Sequence, residues 1–154
     1  LAFFAAKKWG GSRIPARIMV KNLPEDITVL STNRKGLERH FSLCCKQAGI
    51  RTRKITPNYR TDGKDAEQLA IHQAIQHVSA VVIFHNDDLR CAEIAKIAHH
   101  HKRPVFAFDI DSKPDPAFNY DASSKLGDFG LSVEPPTQKP PQRLKSRPPP
   151  QFRG

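Results

Sequence analysis

The sequence predicts an α/β fold: a doubly wound, Rossmann-like three-layer domain built on a mostly parallel five-stranded sheet, with a disordered Pro/Arg-rich C-terminal tail. Three observations predict it. An apolar run, Ala80-Val81-Val82-Ile83-Phe84, stops at a polar turn, His85-Asn86-Asp87-Asp88. A helical pattern then places Leu89, Ala92, Ile94, Ala95, Ile97 and Ala98 near one face, and a second apolar run follows at Val105-Phe106-Ala107-Phe108. Strand, turn, helix, strand is a βαβ unit, which within one sheet is parallel and right-handed. Neither run alternates with polar residues, as strands covered on both faces should not. Upstream, the same succession repeats in the order βαβαβαβαβ, which places the domain at about residues 1–112.

Each element has its own justification. Leu1–Ala6 is short, apolar and strand-like, and Lys7-Lys8-Trp9-Gly10-Gly11 is its loop. Ser12 is placed to cap a helix over about Arg13–Asn22, with Pro15 in its first turn and Leu23-Pro24 ending it. Ile27–Leu30 is β-branched and strand-like. Ser31–Gly36 forms the next loop, and a helix runs to about Ala48 with Leu37, Phe41, Leu43, Cys44 and Cys45 at apolar positions and Gly49 as its C-terminal cap. Arg51–Thr56 alternates basic with apolar or hydroxyl residues and suits an edge strand. Asn58–Lys64 is a polar loop, and Asp65–Val78 has helical spacing through Leu69, Ala70, Ala74, Ile75 and Val78.

Beyond Ser112 the character changes. Residues 113–134 mix Pro, Asp, Ser and Gly with Phe118, Tyr120 and Phe129, and suit a surface-packing extension or linker. Residues 135–154 hold seven prolines, five Lys/Arg and no acid, so they form no core and should stay extended unless a protein, RNA or DNA partner orders them.

Composition narrows the function. The chain has 154 residues and a formal net charge of +10. Residues 1–59 carry 12 Lys/Arg against 3 Asp/Glu, a net of +9, whereas residues 60–112 carry 6 against 8, a net of −2. A basic half of this kind meets nucleic acid, a nucleotide phosphate or an acidic partner, or else serves as a solubilising surface. No stretch approaches the roughly 20 apolar residues of a membrane span, so no membrane partner is expected. The opening residues do not fit a signal peptide. Three cysteines, two of them adjacent, form no disulfide framework, and a reducing cytoplasmic setting follows as the default.

Ligands of such sheets bind beyond the carboxyl ends of the strands. Thr32-Asn33-Arg34-Lys35-Gly36 lies between a strand and a helix start, where free N–H groups, two cations and a glycine suit a phosphate; a solvated loop is the plain alternative. Lys7 and Lys8, after the first strand, add to that side, and Trp9 beside them could stack on a base or pack on the neighbouring helix. In the turn after Phe84, Asp87 or Asp88 is a candidate N-cap, and Asn86, Arg90 and Glu93 are the candidate ligand contacts. Glu93 is the only candidate catalytic carboxylate. His99-His100-His101 point in different directions on a regular helix, so no metal site is expected. Cys91 lies near a helix start, where a thiol pKa can be lowered. No cofactor is implied.

The arrangement resembles the SLOG superfamily of Rossmann-like domains, which includes the LOG phosphoribohydrolases, lysine-decarboxylase-like proteins, YspA-like proteins and the DNA-processing protein DprA. The resemblance covers residues 1 to about 110 and is best from His72 to Phe108. Asn33-Arg34-Lys35-Gly36 falls where small members carry a glycine-rich loop. The PGGxGT-type turn reads His85-Asn86-Asp87-Asp88-Leu89-Arg90-Cys91, with Arg90 and Cys91 at the Gly-Thr positions and Glu93 at the first Glu of the GTxEE pattern. The Arg on the preceding helix is His72, and the first-strand Gly-Ser element is Ala6-Lys7-Lys8. The resemblance implies a nucleotide-derived ligand in the central crevice and, since members are often oligomers, a homo-oligomer as one assembly. The missing glycines and arginine remove the close backbone approach and the bidentate clamp on a phosphate. The expectation is therefore a non-catalytic or weakly catalytic domain binding a nucleotide-derived or other phosphorylated ligand. The alternatives are a sequence-nonspecific nucleic-acid-binding or assembly protein using the basic half and the tail, and a nucleotide N-glycosidic hydrolase using Glu93.

Overall fold

The computed structural model describes residues 1–111 together with Lys113 and Asp115. The extension and tail expected beyond them lie outside the described residues. Five strands, β1 (Ala2–Ala5), β2 (Thr28–Ser31), β3 (Arg51–Lys54), β4 (Val81–Phe84) and β5 (Val105–Phe108), form one sheet in the order β3-β2-β1-β4-β5. Every pairing is parallel, so the sheet is parallel throughout rather than mostly so. The helices are α1 (Ile14–Lys21), α2 (Leu37–Gln47), α3 (Tyr59–Asp62), α4 (Ala66–Ile75) and α5 (Leu89–His100).

Two cores follow from the pleat. Phe3, Ala5, Val82, Phe84, Phe106 and Phe108 bury with Ala16 and Met19 of α1 and Phe41 and Cys45 of α2. Ala2, Phe4, Val81, Ile83, Val105 and Ala107 bury on the opposite face with Ile71 and Ile75 of α4 and Ile94, Ile97 and Ala98 of α5. Alternate residues of β1, β4 and β5 thus serve opposite layers, which is why these strands are apolar without a break. Phe3 stacks on Phe41 with centroids 3.9 Å apart, fixing α2 to the central strand. β3 has a neighbour on one side only, and its exposed Arg51, Arg53 and Lys54 mark it as the edge.

The helix ends follow the sequence closely. Asp88 caps α5, its carboxylate accepting from Cys91 N–H at 3.2 Å. Gly49, at φ +80°, closes α2 in a Schellman turn: Ile50 N–H donates to Cys45 C=O and Gly49 N–H to Lys46 C=O. Ser12 Oγ accepts from Ile14 N–H at 3.1 Å, but Arg13 occupies the N-cap position of α1. Three expectations need correction. The loop expected at Asn58–Lys64 contains α3, because Asn58 Oδ1 accepts from Thr61 N–H and starts a helical turn. The helix expected over Asp65–Val78 therefore opens with a 3₁₀ turn, Gly63–Asp65, and ends at Ile75. Leu43 and Leu69, counted among apolar helix positions, are 54% and 44% exposed.

Candidate functional site

β1 is the strand from which the chain winds outward in both directions, and the carboxyl ends of β1, β2 and β4 surround the switch point. The β1–β2 pairing is short, with Ala2 opposite Leu30. Beyond it, Glu38 inserts its carboxylate. Glu38 lies in the first turn of α2, a favourable end of the helix dipole for an acid. It is 1% exposed and accepts from Ala5 N–H of β1 at 3.0 Å, from Ser31 Oγ at 3.0 Å and from the Thr32 hydroxyl. One carboxylate thereby satisfies the backbone and hydroxyl donors where the strands part.

Arg90, in the first turn of α5, reaches the same point. Its Nη1 donates to Glu38 Oε2 at 3.3 Å and to Ala5 C=O at 3.2 Å, its Nη2 to Thr32 Oγ1 at 3.0 Å, and its Nε to Glu67 Oε1 at 3.0 Å. Arg34 closes the cluster with a 2.6 Å contact to Glu67 Oε2. Two arginines and two glutamates from α2, α4, α5 and the loop before α2 form one neutral cluster. Burial alone would push Glu67 up, but the hydrogen bonds and charges of Arg34 and Arg90 outweigh it and hold the carboxyl below its ordinary value. Burial likewise works against charge on Arg90, and Glu38 and Glu67 outweigh it.

The sequence-predicted residues divide into three groups. Arg34 and Arg90 are engaged by carboxylates, so their charge is compensated within the protein. Lys7, Lys8 and Lys35 are exposed at the rim, where Gly36, at φ +102°, brings its backbone close to Lys7 C=O; a Cβ there would lie 3.6 Å from that oxygen. Asn33, at φ +58°, donates its N–H to Ser31 Oγ at 3.0 Å. Asn86 is exposed, its Nδ2 donating to Lys8 C=O at 3.4 Å, which ties the β4 turn to the β1 loop. Glu93 lines a cavity of about 290 Å³ between α4 and α5 together with Arg90, Glu67, Ile71, Ile94 and Ile97, so it shares that groove with two members of the cluster, and Lys96 Nζ lies 3.9 Å from it.

Other expectations are corrected. Cys91 is fully buried with Sγ 3.9 Å from Phe84 C=O, and burial together with Asp88 pushes its thiol pKa up, opposite to the lowering expected at a helix start. Trp9 packs edge-on against Phe84 with centroids 5.3 Å apart and gives its Nε1–H to Ser12 C=O, so its ring belongs to the core margin. His72 meets His101, with Nδ1 and Nε2 3.1 Å apart, yet among the described residues no three His, Cys, Asp or Glu side chains converge to hold a metal. Sequence reasoning passed over Glu38 and Glu67. The available hint was that Glu38 is the only acid between residues 27 and 59, in an otherwise basic stretch.

A second polar concavity opens on the β3 side. It has a volume of about 140 Å³ and is lined by Ser31, Asn33, Ser42, Lys46, Thr52, Arg53 and Lys54. No helix among the described residues is long and apolar enough to cross a membrane. No family model, curated protein or solved structure matches the chain.

Proposed function

We propose that the chain is a non-catalytic domain that binds nucleic acid without regard to sequence, through the face formed by α1, α2 and β3. The observation that carries this reading is a run of exposed cations over α1, α2 and the edge strand β3. Arg17 and Lys21 on α1, Arg39 and Lys46 on α2, and Arg51, Arg53 and Lys54 on β3 are all exposed. Among the described residues none of these seven cations has an ion-pair partner within 4 Å; the pairs formed belong to Arg34, His85, Arg90 and Lys96. Helices α1 and α2 pack side by side and α2 packs on β3, so the seven lie on adjoining elements. Lys54 lies on the α2 side of the edge strand, and Arg51 and Arg53 lie on its other side, so the cations run from α1 and α2 around that edge. Unpaired cations gathered in this way lower their mutual repulsion by binding phosphates and releasing counterions.

The test is oligonucleotide binding by the full chain over a range of salt. Log affinity should fall linearly with log salt at a slope of about −0.7 per phosphate neutralised on a single strand. Replacing Arg17, Lys21 and Arg39 with Ala should weaken binding and flatten that slope. A slope near zero, or binding that follows base sequence, rules the reading out.

The nucleotide-derived small ligand is a second reading, favoured by the exposed Lys7, Lys8 and Lys35 on the loops after β1 and β2, which approach each other where Gly36 nears Lys7 C=O. A mononucleotide that raises Tm in the wild type and not in a Lys7→Ala/Lys35→Ala variant supports it.

A further inference from the structure

We infer that the concavity between α2 and β3 is a seat for a phosphate monoester, such as the phosphorylated end of a nucleic-acid strand. This rests on the basic-face reading and narrows its ligand.

Volume and donors point the same way. The cavity holds about 140 Å³. That falls short of the roughly 300–1,000 Å³ of pockets that enclose whole small molecules. The space suits a phosphate group, with the rest of a nucleotide outside it. The register puts Thr52 and Lys54 of β3 on the α2 side of the sheet, with Arg53 turned to the other face. The wall therefore carries two ammonium groups, Lys46 and Lys54, and the hydroxyls of Ser42 and Thr52, with no carboxylate among the lining residues. Neither lysine has an ion-pair partner among the described residues. The ammonium groups supply point charge and the hydroxyls supply donors to phosphate oxygens.

The floor is held from behind. Ser31 Oγ is used by Glu38 and by Asn33 N–H, at 3.0 Å each. Asn33 is thereby fixed in its left-handed conformation, and its buried Oδ1 has no hydrogen-bond partner.

A monoester carries about −1.5 to −2 charges at neutral pH and three acceptor oxygens. A phosphodiester carries one charge and must leave the concavity in two directions. Two cations and two hydroxyls around a small cavity therefore favour the monoester.

The experiment compares otherwise identical fluorescent oligothymidylates with a 5′-phosphate, a 3′-phosphate or no phosphate, together with thymidine monophosphate and inorganic phosphate. All are titrated into the full chain and into a Lys46→Ala/Lys54→Ala variant, whose changes lie at exposed positions. A phosphorylated end should strengthen binding about tenfold, the scale of one charge-assisted hydrogen bond, and the variant should lose that increment. Equal binding of all three oligonucleotides overturns the seat and leaves the basic-face reading standing. Thymidine monophosphate or inorganic phosphate binding with the same dependence on Lys46 and Lys54, while no oligonucleotide binds, keeps the seat for a small phosphate ester and overturns the nucleic-acid reading. Binding of none of the probes overturns both.

Discussion

Arg90 and Glu38 are 52 positions apart in sequence and meet at 3.3 Å where β1 and β2 separate. The guanidinium arrives from the start of α5, an unfavourable end of the helix dipole for a cation. The carboxylate comes from the start of α2 and is 1% exposed. Each compensates the other at the place where many Rossmann-like domains receive a phosphate. The cluster they anchor is neutral once Arg34 and Glu67 are added, so an anion entering there would have to break an existing pair. The basic α1–α2–β3 face asks for no such exchange.

Glu38→Ala leaves Arg90, Ala5 N–H and two hydroxyls without their shared acceptor. Removing one partner of a buried ion pair costs about 3–5 kcal/mol, and urea unfolding of the variant should show a loss of that size. In a double-mutant cycle with Arg90→Ala the two changes should couple by about 1–3 kcal/mol, since both act on one network. Additive losses, each under about 1 kcal/mol, would mean that the pair is not compensating buried charge.

The pH dependence of stability should have two steps. His40 and His101 are both held below the ordinary imidazole value, His40 by desolvation and the positive fields of Arg13 and Arg17, His101 by desolvation and the fields of His100, His72 and Arg103. The unfolded chain therefore takes up the proton first as pH falls, and the folded state loses stability below about pH 6.5. Glu67 is also depressed, by Arg34 and Arg90 against the opposing effect of burial. Its contribution is complete above the unfolded carboxyl value of about 4.3 and is lost as pH falls through its lower folded value. Tm measured from pH 8 to pH 3 should decline in both windows, and His101→Gln should reduce the upper decline. A flat Tm between pH 8 and pH 5 would contradict the histidine assignment.

Much of this fold is legible in the sequence, because β1, β4 and β5 are apolar on both faces and only a sheet covered by helices makes such runs. The edge strand is legible for the converse reason: Arg51, Arg53 and Lys54 could not sit in the middle. The candidate sites were harder to read. The sequence points Arg34 at a phosphate and Arg90 at the rest of a ligand, yet both turn toward glutamates. That choice depends on the register that carries Glu38 under β1 and Glu67 across from α5, and no local spacing encodes it. Helix α3 was missed because a single turn held by Asn58 leaves no apolar period.

Gly49 offers a test of the local code. Its φ is +80°, and a Cβ placed there meets nothing within 4 Å. Gly49→Ala should therefore cost about 1–2 kcal/mol, the left-handed backbone penalty alone, and Gly49→Asn should cost less because Asn tolerates that region. Chemical denaturation of both variants gives the order. An Ala variant as stable as wild type would mean that α2 ends in some other way.

Thiol chemistry separates the three cysteines by burial. Cys45 is fully buried, and burial with the neighbouring Cys44 raises its pKa to about 12. Cys91 is also fully buried and shifted upward. Cys44 is partly exposed, with Sγ 3.6 Å from His40 Nε2. A thiolate is the reactive form, so an aromatic disulfide reagent at pH 8 should label one thiol quickly in the native chain and all three after unfolding. Cys44→Ser should abolish the fast phase, since the remaining thiols react only through opening of the core. A fast phase that survives Cys44→Ser and disappears in Cys91→Ser would show that the start of α5 opens readily. The Arg90–Glu38 pair would then be a latch on a mobile helix end, and labelling of Cys91 should accelerate in Glu38→Ala.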